Sequence, residues 1–217
     1  MISVIIPAYN EEKYIENCIS SIKNSSFKDY EIVVVANGCT DNTYNLIKDI
    51  TEKSLNLKEK GVSLAKNNGA KIAKGDWLLF LDADSKINNN LLHEINKLNP
   101  SFIGGSCKTH PDNKKLFEKT LWHIINLTSF FTKTPNGTSF IRKDIFNKIK
   151  GYNENIRIGE DTELIKKAAK HGKIKIITDS HILTSMRRFE KNGYIKTLSS
   201  WIFAFFKPNN KDYEDFR

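Results

Sequence analysis

Two acidic residues, one position apart, follow a short apolar run in the middle of the chain. Trp77–Leu81 reads as a buried strand, and Asp82 and Asp84 come directly after it, with Ala83 between them. Carboxylate oxygens are hard ligands that suit Mg2+ or Mn2+, and a cation held there can in turn bind a diphosphate. A turn rich in Asp and Ser is the simpler interpretation of the same triplet. Its place in the fold therefore decides which interpretation applies.

Other side chains capable of chemistry lie in the second half of the chain. Glu160 and Asp161 begin a helical pattern, where acids also favour the helix dipole without doing any chemistry. Arg187 and Arg188 carry guanidinium groups, which match phosphate geometry but also form surface ion pairs. A lone histidine such as His181 is either structural or a metal ligand. The residues alone leave these alternatives open.

The elements that must position these side chains alternate along the first half. Buried strands are predicted at Ser3–Ile6, in "YEIVVVANG" and at Trp77–Leu81, with a weaker one at Leu55–Lys58. The segments between them have the spacing of amphipathic helices, including Gly61–Ala73. Such alternation predicts a mostly parallel sheet flanked by helices, and ligands bind outside the carboxyl ends of its strands. The acids after Leu81 are therefore expected at the ligand-binding edge.

The second half is less regular but continues the same α/β class. Its predicted elements are strands at Ser101–Cys107 and Ile174–Thr178, helices at Leu116–Phe131 and Glu160–His171, and a strand running into a helix in "GTSFIRKDIF". No internal repeat or linker separates the two halves. A single domain over residues 1–217 is expected.

Composition and charge restrict the possible functions. Of 217 residues, 39% are apolar and 27% are charged, which is typical of a soluble domain. The three cysteines fit no disulfide or metal pattern, which indicates a reducing compartment. Neither a signal peptide nor a run of roughly 18 apolar residues is found. A cytoplasmic protein is therefore expected.

The positive charge is concentrated in the second half. Residues 1–100 hold 12 basic and 13 acidic side chains, whereas residues 101–217 hold 22 basic and 12 acidic ones. This half could face phosphates or an anionic membrane, or its lysines could simply be solvated. No nucleic-acid-binding motif is present, so no nucleic acid partner is expected. The absence of Gly-x-Gly-x-x-Gly after the first two strands, and of a Walker loop, argues against dinucleotide oxidoreductases and NTPases.

Three stretches together resemble glycosyltransferase family 2. They are "SVIIPAYNEEKYIENCISSI", "EIVVVANGCTDNT" and "GVSLAKNNGAKIAKGDWLLFLDADS", and the resemblance extends over roughly residues 1–190. It implies a GT-A fold and an inverting enzyme that uses a nucleotide-diphosphate sugar. Residues 1–100 would then form the nucleotide-sugar-binding half, and residues 101–190 the acceptor and catalytic half.

The resemblance also implies roles for individual residues. The base and ribose would be held by the end of the first strand and the residue after the second, here Pro7, Ala8, Tyr9, Glu11 and Asn37. Lys66, which stands where the family has arginine, would lie near the base or phosphates. Asp82, Ala83 and Asp84 match the family's Asp-x-Asp motif, which holds Mn2+ or Mg2+ and the donor.

In the second half, the resemblance makes Asp161 the candidate catalytic base and lets Glu160 orient the acceptor. Arg187 or Arg188 would contact the donor diphosphate, and His181 would be a third metal ligand. The acceptor would be a sugar or a lipid-linked molecule used in glycan, glycolipid or cell-surface polysaccharide synthesis.

A further feature of the sequence lies at its C-terminal end. "YIKTLSSWIFAFFKPNNK" within residues 191–217 predicts an amphipathic helix with flanking lysines. Such a helix suits peripheral contact with the inner face of a membrane, or packing on the domain or a partner chain.

Three alternative functions remain beside the transferase interpretation. A degenerate fold could bind a nucleotide sugar without turnover, although such a protein needs no catalytic base. A nucleotidyltransferase would bring a glycine- and arginine-rich loop, which "PAYNEEKY" is not. A polyprenyl-phosphate sugar synthase fits less well, because Ser85-Lys86 follows the paired acids.

Overall fold

The computed structural model describes residues 1–113, 115–156 and 158–199. The strands are β1 Ile2–Ala8, β2 Tyr30–Asn37, β3 Lys53–Leu57, β4 Trp77–Phe80, β5 Lys86–Ile87, β6 Phe102–Pro111, β7 Ser139–Arg142 and β8 Lys173–Thr184. The helices are α1 Ile15–Lys23, α2 Thr43–Ile50, α3 Val62–Ile72, α4 Leu91–Asn96, α5 Leu116–Thr132, α6 Lys143–Lys148, α7 Glu160–Ala168 and α8 Arg187–Asn192.

One eight-stranded sheet, in the order β3-β2-β1-β4-β7-β6-β8-β5, forms the centre of the molecule. The strands β3, β2, β1 and β4 are parallel, as the alternating pattern predicts. The chain moves from β1 to β2 on one side and later returns to β4 on the other side of β1. A crevice therefore opens outside the carboxyl ends of β1 and β4, which is where such sheets bind ligands.

Burial on both faces explains why the central strands read as continuous apolar runs. All seven residues of β1 are buried, and so are seven of the eight residues of β2. The apolar side of α1 packs on one face through Ile15, Cys18, Ile19 and Ile22. On the other face, α3 packs so closely that a Cβ on Gly69 would lie 2.5 Å from a methyl group of Ile5. Glycine at this position lets the helix approach the sheet.

The second half adds a mixed sheet to the parallel one. β7 is antiparallel to both β4 and β6, while β8 is parallel to β6 and antiparallel to β5. The sheet is mostly parallel, as expected, because four of its seven strand pairings are parallel. Because β6 has the same direction as β4, its carboxyl end lies at the same edge as the crevice.

Strands β6 and β8 both extend further than the sequence predicts, and β6 ends at Pro111 rather than Cys107. β8 runs to Thr184, beyond the predicted end at Thr178, because pairing with β6 resumes after an irregularity between Cys107 and Lys108. Three polar residues, Asp179, Ser180 and His181, interrupt the apolar pattern there without ending the strand.

The predicted C-terminal helix is only partly within the described residues. Residues 194–199 are helical, and residues 200–217 lie outside the part of the chain that the structure describes. Among the described helices, none combines the length and the apolar character needed to cross a bilayer.

Candidate active site

The carboxyl ends of β1 and β2 form one wall of the crevice. Pro7 and Ala8 are buried within β1, so they offer backbone and shape rather than exposed side chains. Tyr9 is half-buried, with the Lys60 ammonium 4.9 Å from the centre of its ring. Asn37 donates a hydrogen bond to the Ala8 carbonyl at 2.9 Å and accepts one from the Gly61 amide at 3.2 Å. Its amide thus ties β2 to β1 and to the start of α3.

The burial of Asn37 changes the interpretation of that position. Its side chain is 2% exposed, and both ends of its amide already have backbone partners. The resemblance implies contact with the nucleotide base, but the geometry gives this side chain a structural role in the wall. The Asn37 side chain therefore stabilises the loop.

An arginine joins the first strand's end to the paired acids. Arg187, at the start of α8, places its Nε 2.9 Å from Oδ2 of Asp84 and donates a short hydrogen bond to Glu11. Its guanidinium also lies 4.5 Å from the centre of the Tyr14 ring. Burial lowers the pKa of Arg187, but Glu11 and Asp84 raise it well above its ordinary value, so this arginine stays charged. Sequence reasoning had not linked Arg187 to these acids.

Asp82 lies among several charges at the end of β4. Burial and the charges of Asp84 and Asp161 raise its pKa, Lys66 and Arg188 lower it, and the combined effect is a pKa of about 7. The loop before β7 closes over it, because a Cβ on Gly137 would lie 3.4 Å from an Asp82 oxygen. The charges of four other predicted site residues therefore act on this half-buried carboxyl group.

The paired acids fit a divalent cation. Two carboxylates offer hard oxygen ligands, and Mg2+ is usually held by one or two carboxylates together with substrate phosphates. Burial and the neighbouring charges of Asp84 and Asp161 raise the pKa of Asp82, and a divalent cation bound here would offset those charges. Ala83, by contrast, is 3% exposed and packs into the core, so it acts as a spacer.

His181 does not join this pair. It lies inside β8, opposite Lys108 of β6, and its ring is 5.0 Å from that of His110. Within residues 1–113, 115–156 and 158–199, no group of three or more His, Cys, Asp and Glu side chains is arranged to hold a metal ion. The assignment of His181 as a third metal ligand therefore stays a prediction that this geometry does not support. The longer β8 places the histidine in the sheet rather than in a loop after it.

Asp161 is the most fully engaged carboxylate in the crevice. At the first turn of α7 it is 8% exposed. Its Oδ1 accepts hydrogen bonds from the Tyr152 hydroxyl at 2.6 Å and the Ser139 hydroxyl at 2.9 Å, and the Lys66 ammonium lies 3.0 Å away. Its Oδ2 lies 2.9 Å from the same ammonium. The side chain is thus held in one orientation from three directions.

Lys66 also has a different place from the one that the resemblance implies. It is 1% exposed, and its ammonium lies 3.1 Å from Oε1 of Glu160 as well as against Asp161. The centre of the Tyr152 ring is 4.8 Å away. Burial favours the neutral amine, yet the charges of Asp161 and Glu160 raise the pKa of Lys66 well above its usual value. Lys66 therefore pairs with the acids Glu160 and Asp161 instead of contacting the nucleotide base.

This network sets the protonation state of Asp161. Burial would raise its pKa, but Lys66 and the hydrogen bonds from Tyr152 and Ser139 lower it below the ordinary 3.8. Burial and the nearby Asp161 charge raise the pKa of the Tyr152 hydroxyl well above its usual value, so it stays protonated as a donor. Asp161 is accordingly an ionised, oriented proton acceptor.

Sequence reasoning missed two members of this network. Tyr152 lies in the connection between α6 and α7. Ser139 begins β7 and carries no local signal of function. Its hydroxyl faces Asp161 because β7 inserts between β4 and β6.

The fold and the crevice define a GT-A domain. TarS of S. aureus, solved in complex with UDP-GlcNAc, superposes with a TM-score of 0.71 at 22% identity, over 85% of this chain and 58% of that one. The mannosyltransferase PcManGT from Pyrobaculum calidifontis, in complex with GDP-Man and Mn2+, gives a TM-score of 0.65 at 21% identity, over 82% of this chain and 54% of that one. At these identities the likeness shows the fold.

The model of the family described as "Glycosyl transferase family 2" matches residues 3–191, and the chain belongs to this family. The minor teichoic acid biosynthesis protein GgaB of Bacillus subtilis is 29% identical over 198 residues, which cover 80% of this chain and 22% of GgaB. The chain spans less than two thirds of the length of each relative named here. Family membership confirms the predicted resemblance and the predicted class of enzyme, a glycosyltransferase.

Proposed function

We propose that this chain moves a sugar from a UDP- or GDP-linked donor to an acceptor hydroxyl, with inversion and with Mn2+ or Mg2+ as cofactor. The observation that carries the proposal is the buried Asp161 carboxylate, ionised and oriented at the edge of the crevice beside Asp82. A protein that only binds a nucleotide sugar has no use for such a group. The relatives solved with UDP-GlcNAc and with GDP-Man support the donor class.

Asp161 would act as the general base. Oδ1 has three partners among the described side chains, whereas Oδ2 is approached by Lys66 alone, which leaves a lone pair of Oδ2 for the acceptor. As the acceptor oxygen attacks the anomeric carbon, its O–H bond breaks and the proton passes to Oδ2. The bond to the diphosphate breaks with its electron pair on the departing oxygen. General base catalysis of this kind contributes about 10²–10⁴-fold in rate.

The diphosphate would be bound on the other side of the anomeric carbon. Asp82 and Asp84 would hold a divalent cation, which supplies positive charge to the leaving diphosphate when it is bound. Arg187 and Arg188 are cationic side chains near the paired acids, and Glu11 and Asp84 hold Arg187 in position. Glu160 would orient the acceptor while sharing Lys66 with Asp161.

The acceptor belongs to the proposal as well. GgaB is named for teichoic acid biosynthesis, which supports an acceptor in cell-surface polymer or glycan assembly. The basic second half of the chain suits an acceptor that carries phosphate or lies at an anionic surface. We therefore place the reaction in the cytoplasm at the inner face of the membrane.

The experiment measures donor binding and donor hydrolysis separately. The purified chain is titrated with UDP-, GDP- and dTDP-sugars in Mn2+ and in EDTA, and nucleotide release is followed with time. We expect one donor to bind in a metal-dependent way and Asp82→Asn to lose that binding. Asp161→Asn should still bind the donor but release nucleotide at least about 10²-fold more slowly. Glu163→Gln is the matched control, because Glu163 lies in the same turn of α7 and pairs with Lys167.

Two outcomes would contradict the proposal. Normal turnover in a folded Asp161→Asn variant would remove Asp161 as the base. Failure of every donor to bind in any metal condition would mean that the crevice is a scaffold without a donor site, and the transferase function would then be withdrawn for this chain.

A further inference from the structure

The outer face of α5 exposes large apolar side chains in an unusual concentration. Within the part of the chain that the structure describes, eight large hydrophobic residues are exposed, and six of them belong to this one helix. They are Leu116, Phe117, Ile124, Leu127, Phe130 and Phe131, between 43% and 79% exposed. At 100° per residue these six fall within an arc of roughly 140° on the helix. A concentration of exposed apolar side chains on one side of a helix marks a surface that binds something.

Hydrogen bonds prevent α5 from turning this face inward. Its inner side carries Trp122, which donates to the Thr109 hydroxyl at 3.1 Å, and Asn126, which bonds the Thr109 amide at 3.0 Å and carbonyl at 2.7 Å. Ser129 donates to the Thr134 carbonyl, which closes the turn after the helix. Rotating the helix would bury its apolar face but break these buried bonds, each costly to leave unpaired. The exposure is therefore built into the fold.

Positive charge accompanies the apolar face. Beside it, a groove of about 630 Å3 runs between α5, β6 and β8, and Lys108 and Lys119 contribute positive charge to its lining. Among the residues that the structure describes, none of those lining the groove is Asp or Glu, and Leu127 and Phe130 belong to both the groove and the apolar face. At the end of the helix, the Lys133 ammonium lies 4.3 Å from the centre of the Phe130 ring. Lysines flanking aromatic and aliphatic side chains are complementary to anionic headgroups above an apolar layer.

We propose that this outer face of α5 docks the protein on an anionic lipid bilayer. The aromatic and aliphatic side chains enter the boundary between headgroups and acyl chains, while the flanking lysines contact lipid phosphates. A second copy of the chain is a poorer match, because pairing this face with itself would bring its lysines together. The inference goes beyond the C-terminal helix expected from the sequence, since it assigns the contact to a helix in the body of the domain.

The position of α5 gives this docking a use. The groove lies at the carboxyl end of β6, which is the same edge of the sheet as Asp82. The connection from α5 to β7 returns through Gly137, which lies against the Asp82 carboxylate. Residues 194–199 begin on the same surface, with Tyr194 5.2 Å from Phe117 between ring centres. A bilayer under α5 would therefore lie beside the crevice, where a membrane-bound acceptor could enter.

The test is vesicle co-sedimentation with the full chain. Wild type is mixed with vesicles of phosphatidylcholine alone and of phosphatidylcholine with phosphatidylglycerol, in low and high salt. We expect binding to the anionic vesicles that weakens with salt. The double variant Ile124→Gln, Phe131→Gln should bind about tenfold more weakly or worse, because each large side chain loses its transfer into the apolar layer. Lys119→Gln should bind more weakly and lose part of the salt dependence.

Ile72→Gln is the matched control, since Ile72 is 37% exposed but lies on α3. It should bind vesicles as wild type does, and thermal unfolding should show that all variants are folded. Failure of wild type to bind anionic vesicles would overturn the proposal, as would equal binding by the α5 variant. Sedimentation equilibrium gives a further refutation: a dimer that the α5 variant dissociates would show that a second copy covers the face. None of these readouts depends on transferase activity, so the proposed function stands or falls separately.

Discussion

Replacing Lys66 with methionine would remove the ammonium that contacts both Asp161 carboxylate oxygens and Glu160. The lysine is 1% exposed, and its three contacts are 2.9–3.1 Å long, so the ion pair is shielded from water. Methionine fills a similar volume without charge, so little of the loss comes from packing. Breaking a buried ion pair by removing one partner typically costs about 3–5 kcal/mol. Against a total stability of about 5–15 kcal/mol, this loss is large.

Lys66→Met also reverses the way in which the stability contributed by Asp161 depends on pH. In wild type the pKa of Asp161 lies below its ordinary value, so the group contributes stability above the unfolded pKa and loses it as pH falls. Without Lys66, burial dominates and raises the pKa of Asp161 above that of the unfolded chain. The folded state then binds more protons than the unfolded state, and stability falls as pH rises through this range. The single variant should therefore lose least at acidic pH.

Urea unfolding of Lys66→Met, Asp161→Asn and the double variant measures both effects. The double variant should lose less stability than the sum of the single losses, by about 1–3 kcal/mol, because it buries no unpaired charge. Slopes with urea must stay constant for the comparison to hold. A loss below about 1 kcal/mol for Lys66→Met, or strict additivity, would refute the reasoning from a buried pair.

Three further predictions follow from particular contacts. Tyr152→Phe removes a 2.6 Å hydrogen bond to Asp161, so the pKa of Asp161 should rise. The acid limb of the pH–rate profile should then shift toward neutral pH, and an unchanged limb would contradict this. Arg187→Gln frees Asp84 from its ion pair, so calorimetry without donor should show Mn2+ bound about 2- to 5-fold more tightly, and an unchanged affinity would count against the pairing. Gly105→Ala would place a Cβ 1.8 Å from a carbonyl oxygen of β8, so we expect a loss of about 1–3 kcal/mol or more in urea unfolding, and near-wild-type stability would show that the strands can separate.

Local patterns located the crevice but not all of its contents. Alternation of apolar runs and helical spacing predicted β1, β2 and β4, and the strand ends then placed Asp82 and Asp84 at the ligand edge. These signals are local, because strand burial and helix amphipathicity show directly in the order of residues. The prediction of where β8 ends was wrong because it used local patterns only. Polar residues interrupt the apolar pattern of β8, but the strand continues because it pairs with β6, which lies far away in the chain.

The sequence by itself determined the α/β class, the order of the elements and the edge at which the acids emerge. Only the tertiary structure decided which charges meet there. Lys66 reaches Asp161 across 95 positions, and Tyr152 and Ser139 complete the site from separate elements. Such contacts depend on strand register and on how closely helices pack, which no single stretch of residues encodes. The same packing also turns the polar side of α5 inward, so its apolar face is left outside.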